Sequence, residues 1–131
     1  MNQREEAKQA AKELTKWFGK NLPEVKVGKF IAKRFYVAHP MISDFIIINK
    51  NFYTEIIGWH REDLLYTIKL EIAKSAHILL EKAFFDRFED SVHHAEVEAF
   101  LVFKYDYQGL SIEFKVKKNL DGYFLHYMRI L

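Results

Sequence analysis

The last part of the chain, VEAFLVFKYDYQGLSIEFKVKKNLDGYFLHYMRIL at 97–131, decides the fold because its apolar and polar residues alternate. Alternation with a period of two is typical of β-strands, whose successive side chains lie on opposite faces. Strands are therefore predicted over 96–107 and 110–118, with a third strand after the next turn. The intervening Gln108-Gly109 has the length of a two-residue hairpin turn. The chain is thus predicted to end in a three-stranded antiparallel meander.

The two turns of this meander set its register. Pairing Tyr107 with Leu110 across the first turn brings Lys104 opposite Glu113, a favourable cross-strand pair of charges. For the second turn a three-residue loop at 120–122 is predicted, with Gly122 left-handed and Asn119 paired with Tyr123. This register places Glu113 beside Arg129 and Lys115 beside Tyr127. It also places an apolar set on the buried face of the last strand: Phe124, Met128 and Ile130.

A long central helix is predicted over 61–88. Apolar residues recur there at the three-and-four spacing of one helix face, and Phe84 and Phe88 widen that face. The helix is expected to pack on the inward face of the meander. Its stripe consists of Leu65, Ile68, Ile72, Ala76, Leu79 and Ala83.

The rest of the chain completes a single α+β domain over 1–131. Residues 2–19 are rich in good helix formers and predict an N-terminal helical arm over 1–22, anchored through Leu14, Trp17 and Phe18. Residues 25–49 are predicted to be extended, with a break at Pro40, and a short helix after them ends at Gly58. The fold class is therefore an N-terminal helix and one long central helix packed on an antiparallel sheet.

Composition excludes several classes of protein. Half of the 131 residues are apolar and 16% are aromatic, which excludes a disordered chain. The absence of Cys excludes a disulfide scaffold, a thiolate metal site and a Cys nucleophile, and it fits a cytoplasmic location. The net charge of +2 is too balanced to predict a nucleic-acid binder by itself. No apolar stretch resembles a signal peptide or a membrane span, so no membrane partner is expected.

Motifs for common chemistries are missing from the sequence. There is no phosphate-binding Gly loop, no nucleophile elbow and no pair of zinc-binding His residues on a helix, so no cofactor and no metal are expected. His93 and His94 are adjacent, and adjacent residues of a strand point to opposite faces, so they are not predicted to bind one metal ion together. His60 is the best candidate for a catalytic His, because it lies between predicted elements rather than within one.

The polar face of the meander is the most informative group of residues. A carboxylate among cations, as predicted for Glu113, can remain ionised and act as a general base. Arg129 and Lys115 can hold a phosphate and stabilise charge in a transition state. Such a group suits metal-independent RNA cleavage, and the competing interpretation is a solvated face of charge pairs. Residues predicted to bind the substrate on this face are Lys104, Lys117 and Tyr127.

The order of one long helix and a meander, with Gly109 before Ile112, Phe114, Lys115 and Val116, resembles a known group of nucleases. Residues 60–131 are similar to nuclease domains of phage and polymorphic-toxin proteins, in the superfamily of barnase, EndoU, the tRNA-cutting colicins and RelE-type toxins. The resemblance implies an α+β fold and RNA as substrate. It assigns no catalytic residue, because that superfamily has no shared catalytic signature, and the polar sheet face lacks an obvious catalytic His.

Two functions follow as hypotheses. The first is a small, metal-independent RNA-cleaving or RNA-binding domain of the toxin type, with Glu113, Arg129, Lys115 and His60 as its catalytic residues. The second is a non-catalytic module of a phage or mobile element that binds a protein, such as an immunity protein, an inhibitor or a structural protein. Abundant aromatic residues at near-neutral charge favour the second, because association surfaces are enriched in Tyr, Phe and Arg.

Overall fold

The computed structural model describes residues 2–58, 65–90 and 96–131, which fold in the α+β class with an N-terminal helix, as predicted. Described elements run in the following order: α1 Gln3–Asn21, β1 Glu24–Val27, β2 Phe30–His39, β3 Ile42–Asn49, α2 Lys50–Gly58, α3 Tyr66–Ala73, α4 Ala76–Lys82, β4 Phe84–Glu89, β5 Ala99–Tyr107, β6 Leu110–Asn119 and β7 Gly122–Ile130. None of the helices in these ranges is long and apolar enough to cross a membrane.

The strands form one seven-stranded sheet in the order β1-β2-β3-β7-β6-β5-β4. The prediction of an antiparallel sheet is wrong at one place, because β3 and β7 run parallel, with Ile46 beside Tyr123 and Ile47 beside Phe124. Parallel neighbours need a long connection, and the helices and strands between β3 and β7 supply it. Alternation in the sequence shows which residues share a face but not which way a neighbouring strand runs.

The C-terminal meander is confirmed. Strands β5 and β6 pair in the predicted register, with Tyr107 opposite Leu110 and Lys104 opposite Glu113. Gln108 and Gly109 both have positive φ angles, 51° and 81°, as a type I′ hairpin turn requires. Strand β6 is therefore flanked by antiparallel partners on both sides.

The second turn is shorter than predicted. Asn119 pairs with Gly122, so the loop is Leu120-Asp121, and the Asn119 Oδ1 accepts a hydrogen bond from the Asp121 N–H at 2.8 Å. Gly122 has the positive φ, 130°, that was expected of it. A bulge with His126 as its extra residue then restores the predicted pairs, so Glu113 still lies opposite Arg129 and Lys115 opposite Tyr127.

This bulge changes which side chains of β7 face the core. Phe124 was predicted to be buried, but it pairs with Lys117 and lies on the opposite face of the sheet. Leu125 takes the inward position opposite Val116 and is 4% exposed. Met128 is fully buried, as predicted. One extra residue in a strand reverses the face of every residue on one side of it.

The prediction of one long helix over 61–88 is wrong. In the described part of this range the helix breaks after Ala73, where the Lys74 and Ser75 N–H groups bond to the carbonyls of Glu71 and Ile72, three residues back. Helix α4 then starts anew, with the N–H groups of Ile78 and Leu79 bonded to the Ser75 carbonyl. Such three-residue bonds tighten the backbone and redirect the chain.

The end of the predicted helix is a strand. Residues 84–89, Phe-Phe-Asp-Arg-Phe-Glu, form β4 at the edge of the sheet, paired antiparallel with β5. Aromatic residues favour strands, and pairing with β5 satisfies this backbone along one edge. The four-residue spacing of Phe84 and Phe88 imitates a helix face by coincidence, because a β-bulge at Asp86 shifts the alternation.

The N-terminal half follows the prediction more closely. Asn2 caps α1 through a hydrogen bond from the Glu5 N–H to its Oδ1, and Leu14 and Phe18 anchor the helix in the core. The break at Pro40 falls between β2 and β3, and the short helix α2 ends at Gly58.

The hydrophobic core lies between the helices and one face of the sheet, here called the inner face. Helices contribute residues such as Leu14, Tyr53 and Leu80, all fully buried. The sheet contributes the alternate residues that point toward them. Inner-face residues of the core include Val37, Ile46, Ile48, Leu101, Phe103, Ile112, Phe114, Val116, Leu125 and Met128.

Candidate functional site

The face of the sheet that points away from this core, here called the outer face, carries all of the sheet residues predicted for the site. Cross-strand pairing aligns Lys104, Glu113 and Arg129 in one row across β5, β6 and β7. Lys115 and Tyr127 form the next row. Lys117 follows on β6, beside Phe124. His60, the remaining candidate, lies outside the described residues.

Glu113 lies at the centre of this face and is only 1% exposed. Its Oε1 accepts a hydrogen bond from Arg87 Nη2 at 3.0 Å. Its Oε2 accepts one from Arg129 Nε at 3.0 Å, and Arg129 Nη2 lies 2.9 Å from the same oxygen in an ion pair. A buried carboxylate is stable only when it is paired and hydrogen-bonded, and the two guanidinium groups meet that requirement.

Arg87 is the site residue that the sequence analysis missed. It pairs with Val102 in β4, which places its side chain on the outer face, whereas a helix had been predicted there. Besides Glu113, it binds Asp86 at 2.7 Å and Glu89 at 2.6 Å. The signal that could have revealed it is the presence of three Phe residues in Phe84–Glu89, because aromatic residues favour strands.

Lys115 joins the edge strand β4 to the middle of the sheet. Its Nζ lies 2.6 Å from Glu89 Oε1 and 4.6 Å from the centroid of the Phe100 ring, which is buried beneath it. The Tyr127 ring centroid is 5.8 Å away. An ion pair on one side and aromatic rings on the other therefore fix the position of this ammonium group.

The ionised residues around Glu113 form a connected network, here called the charged cluster. Lys104 completes it through Asp86, at 3.6 Å. Hydrogen bonds from Lys115 and Arg87 hold the pKa of Glu89 below its ordinary value, and Arg87 does the same for Asp86. The cluster has one more cation than carboxylates; its members are Asp86, Arg87, Glu89, Lys104, Glu113, Lys115 and Arg129.

This arrangement limits what the cluster can do chemically. A general base needs a free lone pair within reach of its substrate. Both oxygens of Glu113 accept hydrogen bonds from arginines and its side chain is 2% exposed, so a substrate would reach it only after Arg87 or Arg129 had moved away. Arg129, unlike Glu113, is accessible to a ligand, because its side chain is 47% exposed.

A second group of residues lies beside the charged cluster on the same face. Tyr36 and Phe45, on β2 and β3, are 44% and 51% exposed, and their rings meet edge to face at 5.8 Å. Ile47 pairs with both Tyr36 and Phe124, which connects β2 to β7 across the face. We call Tyr36, Phe45, Ile47 and Phe124 the aromatic strip.

Lys117 lies where the charged cluster meets the aromatic strip. It is the cross-strand neighbour of Phe100 on one side and Phe124 on the other. Among the residues that the structure describes, it makes no ion pair. It therefore offers a positive charge that none of the described carboxylates neutralises.

The histidines within the described ranges have packing roles. His77 stacks on Phe35, with ring centroids 4.0 Å apart and planes at 4°, and burial lowers its pKa. The His39 Nδ1 accepts a hydrogen bond from the Met41 N–H, so its Nε2 is the donor to the Ala83 carbonyl at 2.6 Å. His126 lies at the bulge of β7, 5.5 Å from the Phe100 ring.

Neither a metal site nor a similar protein indicates the function of this face. Within residues 2–58, 65–90 and 96–131, no three His, Asp or Glu side chains are placed so that they could hold a metal ion. His93 and His94 lie outside those ranges. Comparison with protein-family models, with curated proteins and with solved structures found no match.

Proposed function

We propose that this protein is a small RNA-binding domain of the toxin type, which holds single-stranded RNA on the outer face of its sheet without metal. The observation that carries the proposal is the presence on one sheet face of exposed aromatic rings and of Lys117, which pairs with no described carboxylate, beside a cluster with excess positive charge. Proteins that bind single strands combine cations for the backbone with aromatic rings for the bases.

Lys117 and Arg129 are the cations best placed to contact phosphates. Lys117 has no carboxylate partner among the described residues, and the Arg129 side chain is nearly half exposed while Glu113 fixes its orientation. Both lie on the outer face of neighbouring strands, β6 and β7. A phosphate bound there would not have to displace the buried carboxylate, because only part of the Arg129 guanidinium is used by Glu113.

Tyr36 and Phe45 are the rings best placed to stack on bases. Both are exposed, so a base can reach them without rearrangement of the core. Phe124 and Tyr127 are half-buried and connect this area to the phosphate-binding side. Stacking on rings tolerates any base sequence, so we expect binding that depends little on sequence.

The geometry supports binding more strongly than cleavage. Glu113 would be the general base of a ribonuclease on this face, but it is enclosed by two guanidinium groups. A cytoplasmic location, where RNA is available, belongs to the same proposal. Incubation of total RNA with the protein in EDTA tests the catalytic part, with Glu113→Gln as the comparison.

The first test of binding uses two substitutions on the outer face. Lys117→Ala should weaken binding of a labelled 12-nucleotide RNA and make the salt dependence shallower by about 0.7 in log–log slope, because one phosphate contact is lost. Phe45→Ala should weaken binding by about 1–3 kcal/mol, because one stacked base is lost. Fluorescence anisotropy over a range of salt concentrations measures both effects.

Matched variants elsewhere in the chain control for general effects. Lys82→Ala removes a charge from α4, and Phe88→Ala removes a ring that is 61% exposed on the inner face of β4. Both should leave RNA affinity close to that of the unmodified protein, apart from a small electrostatic effect of Lys82→Ala. Equal losses in the test and control variants would show that the outer face is not the binding surface.

A second function is favoured by a different observation. The hairpin of β1 and β2 exposes three apolar side chains near its turn: Val27 at 39%, Phe30 at 77% and Ile31 at 69%. Exposed apolar patches mark surfaces that bind proteins. If the chain is a protein-binding module, Phe30→Ser should abolish binding of its partner, whereas Lys117→Ala should not.

A further inference from the structure

Two cations from different strands converge on the carboxylate of Glu89. Arg87 Nη2 lies 2.6 Å from its Oε2, and Lys115 Nζ lies 2.6 Å from its Oε1. Arg87 and Lys115 come from β4 and β6, with Val102 of β5 paired with both of them. An Arg and a Lys that bind the two oxygens of one anion are also the side chains that proteins use to bind a phosphate.

Three carboxylates bind Arg87: Asp86 contacts its Nη1, whereas Glu89 and Glu113 share its Nη2 and differ in accessibility. The side chain of Glu113 is 2% exposed, whereas that of Glu89 is 31% exposed. Separating Glu113 from its partners would leave a buried charge unpaired, which is strongly unfavourable. Separating Glu89 would return a partly exposed carboxylate to water, which costs less than leaving a buried carboxylate unpaired. Glu89 is therefore the carboxylate of the two that an incoming anion can displace.

We propose that Arg87 and Lys115 form a phosphate-binding subsite that Glu89 occupies in the free protein, and that a phosphodiester of bound RNA takes its place. The identification of RNA as the ligand rests on the proposed function, whereas the subsite itself rests on the contacts of Glu89. The exchange replaces one singly charged anion by another in contact with Arg87 and Lys115, while the displaced Glu89 carboxylate turns toward water.

Two further contacts support the subsite. Phe100 lies under the Lys115 ammonium group at 4.6 Å, and Glu113 holds Arg87 from the other side, so both cations stay in position when Glu89 leaves. The pKa of Glu89 is lowered first by its hydrogen bond from Lys115 and then by that from Arg87. Glu89 is therefore ionised at neutral pH and competes directly with a phosphate.

The test compares Glu89→Gln with Asp106→Asn, a matched control. Asp106 is exposed on the outer face of β5 and makes no ion pair with any described residue, so both variants remove one negative charge from the same face. Glu89→Gln should tighten binding of the 12-nucleotide RNA roughly 3- to 10-fold at low salt. Asp106→Asn should give a smaller gain, because it removes general repulsion alone.

Thermal unfolding distinguishes this role from a merely structural one. Glu89→Gln removes two ion pairs and should lower the melting temperature slightly while it raises RNA affinity. If Glu89 had a merely structural role, Glu89→Gln would lower both the melting temperature and the RNA affinity. The gain in affinity should also vanish when Lys115→Ala is combined with Glu89→Gln, because the subsite is then incomplete.

Inorganic phosphate separates failure of this inference from failure of the proposed function. Titration into Glu89→Gln, followed by NMR, should shift the signals of Arg87 and Lys115 at lower concentrations than in the unmodified protein. Phosphate binding without RNA binding would uphold the subsite and contradict the proposed function. RNA binding that Glu89→Gln tightens no more than Asp106→Asn would overturn the subsite and leave the proposed function standing.

Discussion

Phe114→Ala should lower the free energy of unfolding by about 3–5 kcal/mol, the usual loss when a buried phenylalanine is truncated in a core. Phe114 is fully buried at the middle of β6, between Phe103 and Met128 on the neighbouring strands, both of which are also fully buried. Alanine would leave a cavity that these strands cannot close, because each is paired on its far side as well. Chemical denaturation followed by circular dichroism measures the change.

Phe84→Ala is the matched control for this substitution. Phe84 belongs to the edge strand β4, opposite Lys104 of the outer face, and is 56% exposed. Its removal should change the free energy of unfolding by about 0.5 kcal/mol or less, as for ordinary surface substitutions. Comparable losses in the two variants would contradict the assignment of Phe114 to the core.

Glu113→Ala should lower the free energy of unfolding by about 2–4 kcal/mol. The change removes the carboxylate that both Arg87 and Arg129 bind and leaves the two guanidinium groups facing each other. Losing one member of a fully buried ion pair lowers the free energy of unfolding by more than this. Here the two arginines are 37% and 47% exposed, so water can solvate them. Denaturation at neutral pH gives the value.

An exposed pair provides the control for Glu113. Lys74 and Glu71 are also 2.9 Å apart, but the Glu71 side chain is 70% exposed. Glu71→Ala should therefore change stability by less than about 1 kcal/mol. If Glu113→Ala were equally harmless, the charged cluster would be a set of independent surface pairs and not a network around a buried anion.

The meander was predictable because its strands and its first turn depend on residues that are close together in the sequence. Alternation fixed which residues share a face, and a two-residue turn at Gln108-Gly109 fixed their partners, so the row of Lys104, Glu113 and Arg129 was predicted correctly. The loop after Asn119 was predicted one residue too long. The bulge at His126 compensated for that error, and nothing in the sequence marked the bulge, since it depends on how β7 fits between β6 and β3.

The central helix was mispredicted because tertiary pairing outweighed a helical pattern. The spacing of Phe84 and Phe88 fits a helix, yet residues 84–89 pair with β5 in a strand that only the bulge at Asp86 interrupts. This error also hid Arg87, whose position on the outer face follows from the strand alone. Tyr36 and Phe45 were missed for a related reason, since the sequence did not show that β3 would lie beside β7.

Mapping RNA on the protein by NMR tests the central claim most directly. With an unlabelled 12-nucleotide single-stranded RNA added to isotope-labelled protein at low salt, we expect chemical-shift changes concentrated on the outer face, at Lys115, Lys117 and Arg129 of the meander and at Tyr36 and Phe45. The changes should reverse when salt is raised, because phosphate contacts are lost. Unchanged spectra at low salt, or changes confined to α3, α4 or the turn between β1 and β2, would contradict the assignment of the outer face as an RNA-binding surface.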